Sequence, residues 1–257
     1  MGKIIAITNQ KGGVGKTTTC VNLSRALIRE RKRVLLCDMD PQGNASSAMG
    51  VDKNRITDGT YSLLTGAVSA EGAITRTRFG EVIAANKELS GAGIELVLQA
   101  DREYILKKAL NGLRDSYDYI FIDCPPSLEM LTLNALCACD SVLIPVQCEY
   151  FALEGLSDLI TTLRLVKQRL NPDIDVEGVL LTMFDARLNL SFQVAEEVKK
   201  YFKNKVYSVM IPRNVRLSEA PSHGKPVIDY DYSSKGSQAY IKLAREFIDK
   251  NCGKAGR

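Results

Sequence analysis

Two lysines flank a glycine cluster in "NQKGGVGKTTT", Asn9 to Thr19: Lys11 before it and Lys16 after it. Glycines let a backbone approach a ligand closely, and the N–H groups of Gly13, Val14, Gly15 and Lys16, together with a helix N-terminus, favour a bound polyphosphate. Lys16 is then predicted to reach the β- and γ-phosphates of ATP, and the Thr17 hydroxyl to take a position on Mg2+. The nucleotide-binding run is Lys11, Gly12, Gly13, Val14, Gly15, Lys16, Thr17 and Thr18. A turn that merely joins strand to helix is the competing reading, but Gly-Lys-Thr between an apolar strand and a helix weighs against it. The usual cradle has glycine where Gln10 stands here, and Lys11 follows it. One lysine suffices for a cradle, so Lys11 is a surplus cation that needs a purpose.

Three acids are placed to complete such a site. "VLLCDMDPQGN" ends an apolar run with Asp38 and Asp40, and "YIFIDCPPS" ends another with Asp123. Strand C-termini are where ligands gather in open α/β sheets. Asp123, after four apolar or aromatic residues, reads as a Walker B acid holding Mg2+ through a water. Pro125 and Pro126 stiffen the turn that follows. Asp40 and Asp38 are alternative candidates for the base, and Gly43 and Asn44 fall in the loop facing the γ-phosphate. His223, the only histidine, sits between Ser222 and Gly224 in a loop, where a capping or hydrogen-bonding role is expected.

The elements that must hold these residues alternate along the chain. Strand candidates are 3–8, 33–40, 80–86, 94–100, 117–124, 141–148, 177–184 and 205–211, several of them continuous apolar runs as in strands buried on both faces. Between them apolar residues recur at helical spacing, as at Leu156, Leu159, Ile160, Leu163, Val166 and Leu170, and a final helix is expected over about 234–250. Residues 41–78 are richer in Gly, Ser, Thr and Asn and read as short helices and loops. The fold class is α/β: one P-loop NTPase domain over residues 1–257, with a twisted, mostly parallel sheet flanked by helices on both faces. With 45% hydrophobic and 25% charged residues the chain can bury a large core. No run approaches the roughly 18 apolar residues of a membrane helix, and the N-terminus enters "KIIAIT" without a signal-peptide layout, so a cytoplasmic protein is expected. The seven cysteines mostly lie in apolar runs and read as reduced thiols. Net charge is +4, yet residues 199–225 carry seven Lys or Arg against one acid, leaving the remainder at −2 by subtraction. A basic segment of this kind suits a polyanionic partner, a solvated charged face being the plainer reading.

The run Lys11 to Thr17 resembles the deviant Walker A motif of the partition and septum-positioning ATPases, relatives of the nitrogenase iron protein. The resemblance covers almost the whole chain and is strongest to the chromosome-partitioning ATPases called ParA or Soj, through "DMDPQGNAS", "IDCPPSL", "LLTMFDARLNLS" and "IPRNVRLSEAPSHGKP". It implies that Lys16 serves its own nucleotide while Lys11 reaches the partner's in an ATP-dependent homodimer, and that Asp40 orients the attacking water. Lys11, Lys16 and Asp40 are thus the catalytic set. It implies adenine contacts from Pro212 and Asn214, and non-specific double-stranded DNA binding through Arg187 and Arg216, with Lys199, Lys200, Lys203 and Arg213 as outer members. It also implies nucleoid association and a ParB-like centromere-binding partner that stimulates hydrolysis. No zinc-ligand spacing or preceding DNA-binding unit is evident, so base-specific readout is not expected. The septum-site relative carries a terminal membrane helix. The final helix here commits its apolar stripe to the body, so no membrane docking is expected. Two rivals remain: an iron–sulfur or metal-insertion ATPase, suggested by Cys124, Cys137 and Cys139, and a metabolic synthetase, which lacks a polar substrate pocket in the sequence.

Overall fold

A computed structural model of the chain describes residues 1–97, 99–150 and 152–252. The elements run β1 (Lys3–Ile7), α1 (Lys16–Arg29), β2 (Val34–Asp38), α2 (Asn44–Ala48), α3 (Thr60–Leu64), β3 (Ile74–Thr77), β4 (Gly80–Ile83), α4 (Leu89–Leu96) and α5 (Ile105–Asn111). They continue as β5 (Tyr119–Asp123), α6 (Met130–Ala138), β6 (Ser141–Gln147), α7 (Ala152–Arg169), β7 (Asp175–Thr182), α8 (Asn189–Phe202), α9 (Val215–Glu219), α10 (Val227–Tyr230) and α11 (Lys235–Cys252). The strands form one seven-stranded sheet in the order β3-β4-β2-β5-β1-β6-β7, parallel except for β3.

Alternation along each strand explains the layers. Ile4 and Ala6 of β1 join Leu35, Ile120, Ile122, Val142 and Leu181 in one core. Ile5 and Ile7 face the other way, with Leu36, Phe121, Leu143 and Leu180 against α1 and α11. Successive side chains of a strand point to opposite faces, so a run such as "KIIAI" feeds both layers at once. The last helix is clamped at its end, where Lys3 binds the buried Glu177 and Asn251 Nδ2 donates to Glu177 Oε1 at 2.9 Å. Among the described residues no helix is long and apolar enough to cross a membrane.

The structure corrects three of the expected elements. Residues 94–100 are not a strand: α4 spans Leu89–Leu96, burying Leu89, Ala92 and Leu96 at helical spacing while Ile94 is exposed, and Leu98 lies outside the described residues. Residues 205–211 form no strand: Val206 makes an isolated bridge to Val179, and Tyr207 N and Ile211 N donate to Val179 O and Leu181 O of β7 at 3.0 and 2.9 Å. The reason is a competing acceptor: Ser208 N and Val209 N donate to the Glu246 carboxylate of α11 at 2.8 and 3.0 Å, which interrupts the ladder between Tyr207 and Ile211. Within residues 41–78, read as helices and loops, "ITRT" forms the antiparallel edge strand β3. Three of its four residues, Ile74, Thr75 and Thr77, are β-branched, which favours a strand, a signal masked by the surrounding glycines and serines.

Candidate nucleotide site

The loop Asn9–Gly15 leaves the C-terminal end of β1 and delivers Lys16 to the first turn of α1. Gly13 and Gly15 have φ of 75° and 89°, which a side chain would resist. A Cβ built on Gly12 or Gly13 would meet nothing within 4 Å, so this side of the loop is open to a ligand. The loop is gripped from beneath. Asn9 Nδ2 donates to Pro145 O at 2.8 Å, Asn9 Oδ1 accepts from Lys11 N at 3.0 Å, and Thr182 Oγ1 donates to Val14 O at 2.8 Å. Lys16 folds across the loop, its Nζ donating to Lys11 O at 2.9 Å. Burial pulls its pKa below the usual lysine value, and the charge of Asp123 opposes that. Thr17 and Thr18 are half-buried on the same turn, and Thr18 O accepts from Asn22 Nδ2 at 2.8 Å.

The three acids converge under this loop, and their surroundings separate their roles. Asp38 and Asp123 are register partners at the ends of β2 and β5. Asp38 is saturated: its Oδ2 accepts from Ser46 N and Ser46 Oγ at 2.8 and 2.7 Å, and its Oδ1 from Asp40 N at 3.1 Å. A carboxylate with three donors is a bracket rather than a free base, which leaves Asp40 as the acid available to water. Burial pushes Asp38 up to about 6. Asp123 is fully buried, and neither carboxylate oxygen has a hydrogen-bond partner of good geometry. Burial first, and the Asp38 charge second, hold it well above the carboxylate range, while the nearby Thr17 hydroxyl eases it. An orphaned acid beside a threonine hydroxyl fits a divalent cation. Among the described residues no three His, Cys, Asp or Glu form a ligand cluster. Mg2+ takes one or two protein ligands and completes its shell with water and phosphate oxygens.

Asp40 Oδ1 accepts from Gln42 N at 2.9 Å, ordering the turn that ends at Gly43. Gly43 has φ 59°, and a Cβ there would sit 2.4 Å from Ala85 O, so no side chain fits. Asn44 begins α2 and is exposed. Lys11 is engaged within its own protomer, paired with Glu149 in the loop after β6, and both side chains remain about one-third exposed. The Glu149 contact, the Ser46 bracket and the grips from Asn9 and Thr182 had no motif to announce them. They depend on residues up to 168 positions apart in sequence.

Pro212 bridges to Phe184 beyond β7, bringing Asn214 to the N-terminus of α9. Asn214 Oδ1 is buried with no hydrogen-bond partner, so it retains acceptor capacity. Of the basic residues, Arg187 is largely exposed and forks onto Asp185, with Nη2 to Oδ2 at 2.6 Å. Arg213 also lies close enough to Asp185 to hold that acid's pKa down, after the larger effect of Arg187's hydrogen bonds. Arg216 pairs with Glu219 at 2.7 Å and Asp231 at 3.2 Å. Lys199 and Lys200 pair with Glu196 and Glu197, about 15 Å along α8 from its start. Lys203 is exposed, with φ 48°. The basic excess counted along 199–225 is thus partly cancelled in space by acids from outside that segment. What survives is a set of exposed, loosely paired cations. His223 stacks on Tyr230 with ring centroids 4.9 Å apart.

All seven cysteines are free and six are buried. Burial pushes Cys137 to about 11 and Cys139 to about 12, and raises Cys124 well above its ordinary value. Cluster ligands are thiolates, so this environment works against the iron–sulfur alternative.

The AAA domain family model matches residues 2–176. The sporulation initiation inhibitor protein Soj of Bacillus subtilis is 60% identical over 96% of this chain and 98% of its own length. The chromosome partitioning protein ParA of Myxococcus xanthus is 54% identical over 100% of this chain and 92% of its own. A crystal structure of cobyrinic acid a,c-diamide synthase from Mycobacterium smegmatis with bound ADP and magnesium superposes with a TM-score of 0.86. It is 37% identical, covering 100% of this chain and 97% of that one. With its phosphate loop, its strand-end acids and its identity to Soj and ParA spanning nearly the whole length, the chain belongs to the ParA/Soj family of chromosome-partitioning ATPases.

Proposed function

We propose that residues 1–257 act as one ATP-driven switch on DNA: nucleotide binding pairs two copies, the pair holds the nucleoid without regard to sequence, and hydrolysis lets go. The observation that carries this reading is the orphaned Asp123 carboxylate beneath an open glycine loop that bears two lysines. The Soj and ParA relatives support the same reading, and a diamide synthase reading has less support, at 37% against 60% identity.

Each residue's part follows from its position. Backbone N–H groups of Gly12 to Thr18 bind the phosphates, and Lys16 turns from Lys11 O toward the γ-phosphate. Asn214 orients the base through its free amide oxygen, with Pro212 packing beside it. The Thr17 hydroxyl and, through a water, Asp123 would hold Mg2+, which would supply charge neutralisation at the phosphates. Asp40, fixed through its own N–H by Asp38, accepts a hydrogen bond from the attacking water and aims it in line. Lys11 leaves Glu149 and crosses to the partner's nucleotide, where its cation offsets charge developing on the transferred group, as an arginine finger does. Neutralisation and pairing are then one event. Arg187 and Arg216, with Arg213, Lys199, Lys200 and Lys203 outside them, contact phosphates of double-stranded DNA. A ParB-like partner bound to the centromere stimulates hydrolysis.

Sedimentation with ATP, ADP or no nucleotide, with and without DNAs of unrelated sequence, tests this. A heavier species in ATP alone that carries every DNA equally is expected, and Lys11→Ala should remain monomeric. A monomer under all conditions, or retention of one DNA sequence only, would overturn it.

A further inference from the structure

We infer that Thr182 is a positioning residue that couples the phosphate loop to the DNA-facing arginines through the strained joint at Met183. Four consecutive residues from the end of β7, Thr182 to Asp185, link the phosphate loop to the segment carrying Pro212 and to Arg187. Thr182 Oγ1 donates to Val14 O at 2.8 Å, and its methyl carbon lies 3.7 Å from where a Cβ on Gly15 would stand. Two residues on, Phe184 N donates to Ile211 O at 3.0 Å and Phe184 O accepts from Arg213 N at 3.1 Å, clasping the segment that carries Pro212 and Asn214. Next, Asp185 accepts from Arg187 at both its N and its Nε, at 3.0 and 2.9 Å, and has Arg213 as a second cationic neighbour. Met183 stands between the two grips with φ 51°, a left-handed conformation in a bulky residue. Such strain persists only where the surroundings over-determine it.

The hydroxyl donor faces a carbonyl of the loop itself. Phosphate binding that re-aims the Gly15 N–H must also rotate the peptide unit that carries Val14 O, and Thr182 follows. Both neighbours of the joint are hydrogen-bonded, so displacement at 182 passes to 184 and 185 rather than dissipating in a free loop. The element is a short rigid bracket with one left-handed corner, able to hold two arrangements that nucleotide and DNA each bias.

The inference rests on the ATP-switch reading, and the test separates the two. The quantity measured is the ratio of DNA retention in saturating ATP to that in ADP. A wild-type protein with no such ratio would overturn the switch itself. Given a wild-type ratio, Thr182→Val, which keeps shape and loses the donor, should lower it about tenfold, and Thr182→Ser should restore it to within about twofold. Met183→Gly keeps the hydroxyl but frees the corner, and should lower the ratio about fivefold. It also serves as the second variant should Thr182→Val fail to fold. A Thr182→Val protein that needs more ATP yet shows the wild-type ratio once saturated, or a wild-type ratio in Met183→Gly, would overturn the coupling.

Discussion

Asp38 and Asp123 occupy equivalent positions on neighbouring strands, yet one is saturated with donors and the other has no hydrogen bond of good geometry. Under the proposed function, that asymmetry divides the work between bracket and cation site, and leaves the water to Asp40. Asp40→Ala should bind ATP and accumulate as DNA-bound dimers with turnover lowered at least about a hundredfold, since general-base contributions run from 10² to 10⁴. A monomer in ATP, seen by light scattering, would contradict the assignment. The bracket has a pH signature in the nucleotide-free protein. Asp38's folded pKa of about 6 lies above the ordinary value of 3.8, so the folded state holds the proton more tightly than the unfolded one. Its contribution to stability is present in full below about pH 4 and is lost as pH rises through about 6. Thermal melts from pH 4 to 7 should therefore show the wild-type advantage over Asp38→Asn shrinking with rising pH, whereas parallel curves would remove Asp38 as the source.

Elements hold these residues by packing from both sheet faces. Phe247 of α11 is fully buried, 5.1 Å from the Tyr119 ring and 5.7 Å from Phe121, so α11 is stapled to the centre of the sheet through β5, the strand that ends in Asp123. Phe247→Ala should cost about 3–5 kcal/mol in denaturant unfolding, the usual range for a buried phenylalanine. A loss below about 1 kcal/mol would mean the helix packs loosely. The corrected elements belong to this scale as well. An apolar run such as 94–100 fits a strand or a short helix equally until its neighbours decide, and 205–211 loses its ladder to Glu246, a residue on a helix far along the chain. Pattern reasoning sees propensity and period; it cannot see which distant acceptor will win an N–H group.

Across the whole molecule, the cations expected to face DNA are partly neutralised within one protomer. Arg187 and Arg216 are each held by acids of their own chain. Under the proposed switch, pairing two copies lets several half-neutralised cations face one polyanion together. Affinity should then fall steeply with salt, log K losing about 0.9 per log salt for each phosphate contact. Arg216→Glu should lose DNA retention while still dimerising in ATP, and unchanged retention would move the surface elsewhere. The phosphate loop, the strand-end acids, the alternation of strands and helices and the family were all legible in sequence. They are local: a loop conformation needs its glycines in a row, and a buried strand needs its apolar run. Tertiary structure alone decided that Asp38 is a bracket, that Asp123 is left without a partner, that Lys11 rests on Glu149 and that Thr182 holds the loop it never adjoins. Those facts depend on which distant groups meet in a low-dielectric interior, where one hydrogen bond made or missing separates a spent carboxylate from a free one.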